Sequence, residues 1–294
     1  SSIGWAAPAW PVLLGPLPGP RGGRMAAAEE APPPLEEVLA VAKEAVSLAG
    51  EAIRGAWLKK SEVKETKSNE TDLVTETDQR CEELVIGLLQ RRFPTHAIIG
   101  EESAGASKYE LADGPTWTID PIDGTTNFVH RVPFCCVIIA FLHRREPMVG
   151  VVYDPIADEL FWATRGGGAF LRGRASAEPV RIRASGTESI QRAVISMDPG
   201  YGRSEAAVAA FTSAQSAMLL RGIRNIRVLG STGICMAYVA CGRLDAGFEE
   251  GSWETNTGPK IWDFAAGRLL VEEAGAVTRD LGGEVPTSRP LDLL

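Results

Sequence analysis

Residues 117–130 read Trp-Thr-Ile-Asp-Pro-Ile-Asp-Gly-Thr-Thr-Asn-Phe-Val-His, with Asp120 and Asp123 three positions apart across a proline. Pro121 fixes its own φ and forces a turn, so both carboxylates can point the same way. The peptide between them leaves the Ile122 carbonyl free to face that spot, and Thr125 adds a hydroxyl. Carboxylate, carbonyl and hydroxyl oxygens are hard donors, which suit Mg²⁺, Mn²⁺ or Ca²⁺ and not zinc. Gly124-Thr125-Thr126 reads as a helix start, whose free N–H groups favour an anion such as phosphate. Taken alone, Asp-Pro-x-Asp more often caps a turn and a helix.

Other acids shift that balance. Glu101, in Gly100-Glu101-Glu102-Ser103, follows a short apolar segment and could reach the same ion and polarise a water. Asp263, in Ile261-Trp262-Asp263-Phe264-Ala265-Ala266-Gly267, opens a helix of small residues that can pack closely and carry the carboxylate into a cleft. Asp72-Leu-Val-Thr-Glu-Thr-Asp78 brings more acids to a helix entry, with Lys67 five residues before it.

The elements that must position these groups are legible in part. Leu35 to Trp57 has helical apolar spacing with charges opposite, and the preceding prolines suit a helix start. Residues 59–72 read as a mobile hairpin or loop. Thr77–Arg92 reads as a second amphipathic helix, capped by Thr77 or Asp78. Ala97–Gly100 and Thr116–Ile119 read as short strands, the latter running into Asp120. Cys135–Leu142 is a continuous apolar run, expected to be a strand buried on both faces. Val149–Tyr153 and Glu159–Ala163 bracket Asp154-Pro155 as a hairpin. Gly166-Gly167-Gly168 lacks the spacing of a nucleotide loop and reads as a turn. The second half alternates: strands at Val194–Met197, Asn225–Val228, Ala246–Glu249 and Ala276–Asp280, with helices at Ser204–Leu220, Thr232–Cys241 and Asp263–Ala274. Such alternation predicts layered α/β packing.

The chain has 294 residues, 45% hydrophobic and 23% charged, which excludes wholesale disorder. A net charge of −8 argues against nucleic acid or an anionic membrane as the main partner. No apolar run reaches the ~18 residues of a membrane span. Cys81, Cys135, Cys136, Cys235 and Cys241 lack metal or disulfide spacing and read as free thiols of a reducing compartment. Residues 1–34 differ from the rest, with Pro8, Pro11, Pro16, Pro18 and Pro20 in an uncharged opening stretch. They read as a disordered tail with Met25 as the true start, or as a targeting peptide, since the first 28 residues hold no acid.

These motifs together resemble the inositol monophosphatase family of metal-dependent sugar-phosphate phosphatases. The resemblance rests on Trp117–His130, on Trp-Asp-Phe-Ala-Ala-Gly-Arg-Leu-Leu-Val-Glu-Glu-Ala-Gly-Ala at 262–276, on Gly-Glu-Glu-Ser at 100–103 and on Asp72–Asp78, in order, across residues 35–294. It implies an α+β and α/β chain folded as a layered αβαβα sandwich, with an N-terminal part at 35–180, a C-terminal part at 181–294 and the site between them. It further implies that Glu101, Asp120, the Ile122 carbonyl and Thr125 hold a first Mg²⁺, and that Asp120, Asp123 and Asp263 hold a second. A third, weaker Mg²⁺ would sit near Glu101. Glu101 and Thr125 would activate the attacking water. Gly124, Thr125 and Thr126 would bind phosphate through backbone N–H groups. Asp123, Thr232 and Glu249 would face the inositol hydroxyls. Lys67, Asp72 and Asp78 would belong to a mobile segment near the site. A cytoplasmic homodimer sensitive to lithium is part of the same expectation, or an organellar one if residues 1–34 are a transit peptide. No histidine is required for catalysis.

The chain departs from the family pattern in several places. Extra residues between Glu249 and Asp263 leave Glu250 as an alternative sugar-facing acid. Thr232 stands where alanine is common, and Tyr201 near a frequent serine. The family pattern also continues past Leu294 through another strand and a closing helix. The pocket departures keep galactose 1-phosphate and histidinol phosphate open as substrates. The remaining alternative is a regulatory protein that has kept the fold and lost catalysis.

Overall fold

Helix α1 (Leu35–Trp57) starts directly after Pro34, with Glu36 and Glu37 in the first turn, where the helix dipole favours negative charge. In this computed structural model, residues 33–59, 63–66, 73–104, 109–174, 176–249 and 258–279 are described. They belong to one compact unit, Pro32–Leu294. The α1 stripe of Val38, Val41, Ala42, Ala45, Val46, Ala49 and Ile53 is fully buried. Strands β1 (Val63–Thr66) and β2 (Leu73–Thr75) pair antiparallel, which places a hairpin in the 59–72 region. Lys67 and Asp72 lie outside the described residues. Helix α2 (Glu76–Arg92) begins earlier than expected, because Thr75 is the cap and not Thr77 or Asp78. Thr75 is extended, and its hydroxyl accepts the N–H groups of Thr77 at 3.2 Å and Asp78 at 3.4 Å. Asp78 returns the bond by accepting the Thr75 N–H at 2.9 Å, a reciprocal capping box.

A seven-stranded sheet follows, in sequential order: β3 (Ala97–Gly100), β4 (Thr116–Asp123), β5 (Cys136–His143), β6 (Glu146–Asp154), β7 (Glu159–Thr164), β8 (Gly168–Gly173) and β9 (Ser176–Arg181). The β3–β4 pair is parallel and the others are antiparallel. Side chains alternate across a strand, so β5 feeds two cores. Val137, Ile139 and Phe141 pack with α1, α2 and Trp117. Cys136, Ile138, Ala140 and Leu142 pack with α6 (Thr232–Ala240) and α7 (Ile261–Glu273). This is why the run is apolar without a break.

A second sheet is parallel, in the order β11 (Asn225–Arg227), β10 (Val194–Asp198), β12 (Ala246–Glu249). Ile195 and Met197 of β10 face α5 (Glu205–Leu220), through Phe211, Ala214 and Met218. Ser196 faces Cys235 of α6 on the other side. The layers are therefore α1/α2, the large sheet, α6/α7, the small sheet and α5: the αβαβα sandwich.

Several boundaries differ from expectation. The β4 strand runs through Pro121 to Asp123, with a register shift against β5 between Asp120 and Asp123. A proline offers no N–H to the ladder, and the bulge absorbs it. Residues 276–279 form no strand, and Asp280 lies outside the described residues. The glycine run is a turn, as its spacing implies. The N–H groups of Gly166 and Gly168 donate to Glu273 at 2.7 and 2.8 Å, so the loop holds a carboxylate of the protein itself.

Candidate active site

The acids collect where β3 and β4 end and where α6 and α7 begin. Glu101 opens a short helical turn, α3 (Glu101–Ala104), directly after β3. Asp120, Ile122 and Asp123 come from the buried end of β4. Gly124 then takes φ +87°, and a Cβ there would lie 2.8 Å from the Phe134 carbonyl oxygen, so only glycine fits before α4 (Thr125–His130). Asp263 lies in the first turn of α7. It accepts the Lys260 N–H, and the neighbouring Ile261 N–H donates to the Tyr109 hydroxyl at 2.9 Å. The small residues of α7 let it approach its neighbours: a Cβ on Gly150 would come within 2.8 Å of the Ala266 backbone.

Electrostatics single out this cluster. Asp120 is buried and its carboxyl is held well above the usual range, first by burial and then by Glu101, Asp123 and Asp263. Asp263 is raised in the same way, by burial, Glu101 and Asp123. The Oδ1 atom of Asp120 is buried with no hydrogen-bond partner. A buried carboxylate oxygen without a donor, beside further carboxylates, is costly unless a cation neutralises it. The donor set and this orphaned oxygen fit a hard divalent ion. Among the described residues, no three acid, histidine or cysteine side chains already converge on one point as a formed ion site.

Asp123 has a second occupation. Its Oδ2 accepts the Ser231 hydroxyl at 2.5 Å, the Gly233 N–H at 2.7 Å and the Cys136 thiol at 3.4 Å, and its Oδ1 accepts the Thr232 N–H at 3.2 Å. It thus ties the end of β4 to the start of α6. Burial raises its pKa to about 6 against these bonds.

Thr125 sits over the same corner. Its hydroxyl lies 3.0 Å from the Ile122 carbonyl oxygen and 3.1 Å from Asp78 Oδ1, within donating reach of either. Asp78 is fully buried and pushed up to about 6, mainly by burial. The sequence places Asp78 only in a segment near the site; the structure brings it onto Thr125. Thr232 and Glu249 also meet, the hydroxyl donating to Oε2 at 2.6 Å. Glu250 lies outside the described residues. Thr126 and His130 are exposed on α4, and Tyr201 is exposed before α5. A cavity of about 460 Å³ borders Thr232 and Glu249 but includes neither the buried Asp120 and Asp123 nor the half-buried Glu101 and Asp263, so the acids and not the cavity mark the candidate site.

Ser231 and Cys136, which donate to Asp123, and Tyr109 and Glu82, which accept backbone N–H groups beside Asp263 and Glu101, are not found from the sequence. The available signal is Gly230-Ser231-Thr232-Gly233 at a helix start, a motif whose N–H groups and hydroxyl require an acceptor.

Residues 34–294 match the family model described as "Inositol monophosphatase family". The chain belongs to the inositol monophosphatase family. Inositol monophosphatase 2 of Solanum lycopersicum is 43% identical over 251 residues, covering 85% of this chain and 89% of that protein. The inositol monophosphatase of Mesembryanthemum crystallinum is 40% identical over 252 residues, covering 85% and 88%. Among solved structures, the Thermotoga maritima IMPase superposes with a TM-score of 0.72 at 30% identity, covering 87% of this chain and 90% of that one. The family's layered fold is the one described above.

Proposed function

We propose that the protein is a phosphoric monoester hydrolase that cleaves inositol monophosphate to inositol and phosphate, using Mg²⁺. The observation that carries this reading is the buried acid cluster around Asp120, with its unpartnered Oδ1, inside an inositol monophosphatase fold. Glu101, Asp120, the Ile122 carbonyl, Asp123 and Asp263 would hold two or three ions. When bound, such ions lower the pKa of a water and neutralise charge on the phosphate and the leaving oxygen.

The chain's own groups do the rest. Thr125 stands between the Ile122 carbonyl and Asp78, so its hydroxyl can orient a water and pass a proton toward the Asp78 carboxylate. Gly124, Thr125 and Thr126 lie at the start of α4, where backbone N–H groups can donate to phosphate oxygens. Glu249, fixed by Thr232, supplies an acceptor for hydroxyls of a polyol.

Further parts of this reading rest on the family and on composition: a homodimer, lithium sensitivity and a cytoplasmic location. The five cysteines are all free thiols, as suits a reducing compartment. Among the described residues no helix is long and apolar enough to cross a membrane.

Phosphate release from inositol 1-phosphate and galactose 1-phosphate tests the proposal, with Mg²⁺, with a chelator, and with Mg²⁺ plus lithium. The expected result is Mg²⁺-dependent, lithium-inhibited turnover with the higher kcat/KM on inositol 1-phosphate. A preference for galactose 1-phosphate would overturn the substrate and keep the chemistry. Turnover that survives chelation would overturn the metal assignment.

A further inference from the structure

Glu82 is on α2, outside the acid cluster, and only 4% exposed. Its Oε2 accepts the Glu102 N–H at 2.8 Å, and its Oε1 accepts the Ser103 N–H at 2.8 Å. Both oxygens are thus used on the turn that begins with Glu101. Gly100 makes room for them: a Cβ there would stand 2.6 Å from the Glu82 carboxylate. Burying a carboxylate is costly, and burial together with Glu101 does raise its pKa. A neutral side chain could join two helices at lower cost. What a bidentate carboxylate adds is a fixed backbone from Gly100 to Ser103, and therefore a fixed origin for the Glu101 side chain.

We propose that Glu82 is a positioning residue for the metal site, holding Glu101 in place through the N–H groups of Glu102 and Ser103. This inference rests on the reading of Glu101 as an ion ligand. Residues that orient ligands from behind commonly change metal affinity by about 10–100-fold when replaced.

The test is Mg²⁺ binding by calorimetry on the full chain, with thermal melts and steady-state kinetics alongside. Glu82→Gln keeps the shape and one acceptor. Glu82→Asp keeps the charge but is one methylene too short to reach both N–H groups. Val85→Ala, one turn further along α2 and fully buried, controls for lost stability alone. The expected result is Mg²⁺ affinity weakened about tenfold or more in either Glu82 variant, with KM for inositol 1-phosphate at saturating Mg²⁺ unchanged. Val85→Ala should lower Tm and leave Mg²⁺ affinity at the wild-type value. Glu82 variants that bind Mg²⁺ as well as wild type, or lose no more affinity than Val85→Ala, would overturn the role of Glu82 alone. A wild-type chain that binds no Mg²⁺ would overturn the reading of the site, and this inference with it.

Discussion

At the scale of single residues, Asp120 and Asp123 look equivalent in sequence and are opposite in structure. Asp120 has a buried oxygen with no donor and neighbours of its own charge. Asp123 has donors on both oxygens. The same substitution should therefore move stability in opposite directions. Asp120→Asn removes a carboxyl whose ionisation burial and its acidic neighbours oppose, so the metal-free protein should melt higher at neutral pH while Mg²⁺-dependent turnover disappears. Asp123→Asn sets an amide N–H₂ against the N–H groups of α6 and leaves donors unsatisfied, which costs about 1–3 kcal/mol per group. Its metal-free Tm should fall. Melts of both variants without metal decide the matter, and an Asp120→Asn protein that keeps full turnover would refute the metal assignment. The carboxylates themselves are legible in the sequence because the chemistry demands particular residue types at particular spacings. The second role of Asp123 is not, because its donors at the start of α6 lie 108 to 110 positions away in the chain. No local pattern joins β4 to the start of α6.

At the scale of elements, α1 and α2 announce themselves by apolar periodicity, whereas α6 and α7 are buried on most faces and show in the sequence by segment alternation and by Gly242 and Gly275 just past their ends. Strands β8 and β9 carry no such signature: Arg172, Gly173 and Pro179 interrupt any apolar run, and neighbouring strands decide the pairing. The end of β4 is hidden by Pro121, since a proline normally ends a ladder and here sits at a bulge. The close approach of α7 to β6 is where an element's placement reaches the site. Gly150 has no positive φ, so only space forbids a side chain there, and the obstacle is Ala266 backbone. Gly150→Ala should push α7, and Asp263 with it, off the sheet. Overpacking of this kind costs about 1–3 kcal/mol, and kcat/KM should fall together with Tm. Gly55 is the converse case: it sits inside α1, and a Cβ there would meet nothing within 4 Å. Gly55→Ala should raise stability by about 1 kcal/mol through helix propensity alone, with kcat/KM unchanged. Denaturant titrations and kinetics on the pair check both signs.

At the scale of the whole molecule, buried acids make stability and metal binding two readings of one proton balance. Asp154 is away from the cluster and 2% exposed; burial raises it to about 6, although its Oδ1 accepts the N–H groups of Ile156 and Ala157. A carboxyl whose folded pKa lies above its unfolded one stabilises the fold below about pH 4 and loses that contribution as pH rises through 6. For Asp154 the shift corresponds to roughly 3 kcal/mol. Asp78 and Asp123, also at about 6, act in the same direction, and so do Asp120 and Asp263. The metal-free protein should therefore lose stability as pH rises from about 4 through 6. Asp154→Asn keeps the acceptor oxygen used by both N–H groups, so it should raise Tm at pH 8 and change it little at pH 4.5. Mg²⁺ works against the same slope only through the cluster. Its ligands must be deprotonated to bind, so the ion gains affinity as pH rises. The Tm increment from a fixed Mg²⁺ concentration should then be larger at pH 8 than at pH 5, in the wild type and in Asp154→Asn alike. An increment that does not grow with pH would mean that the raised carboxyls are not the groups that receive the ion.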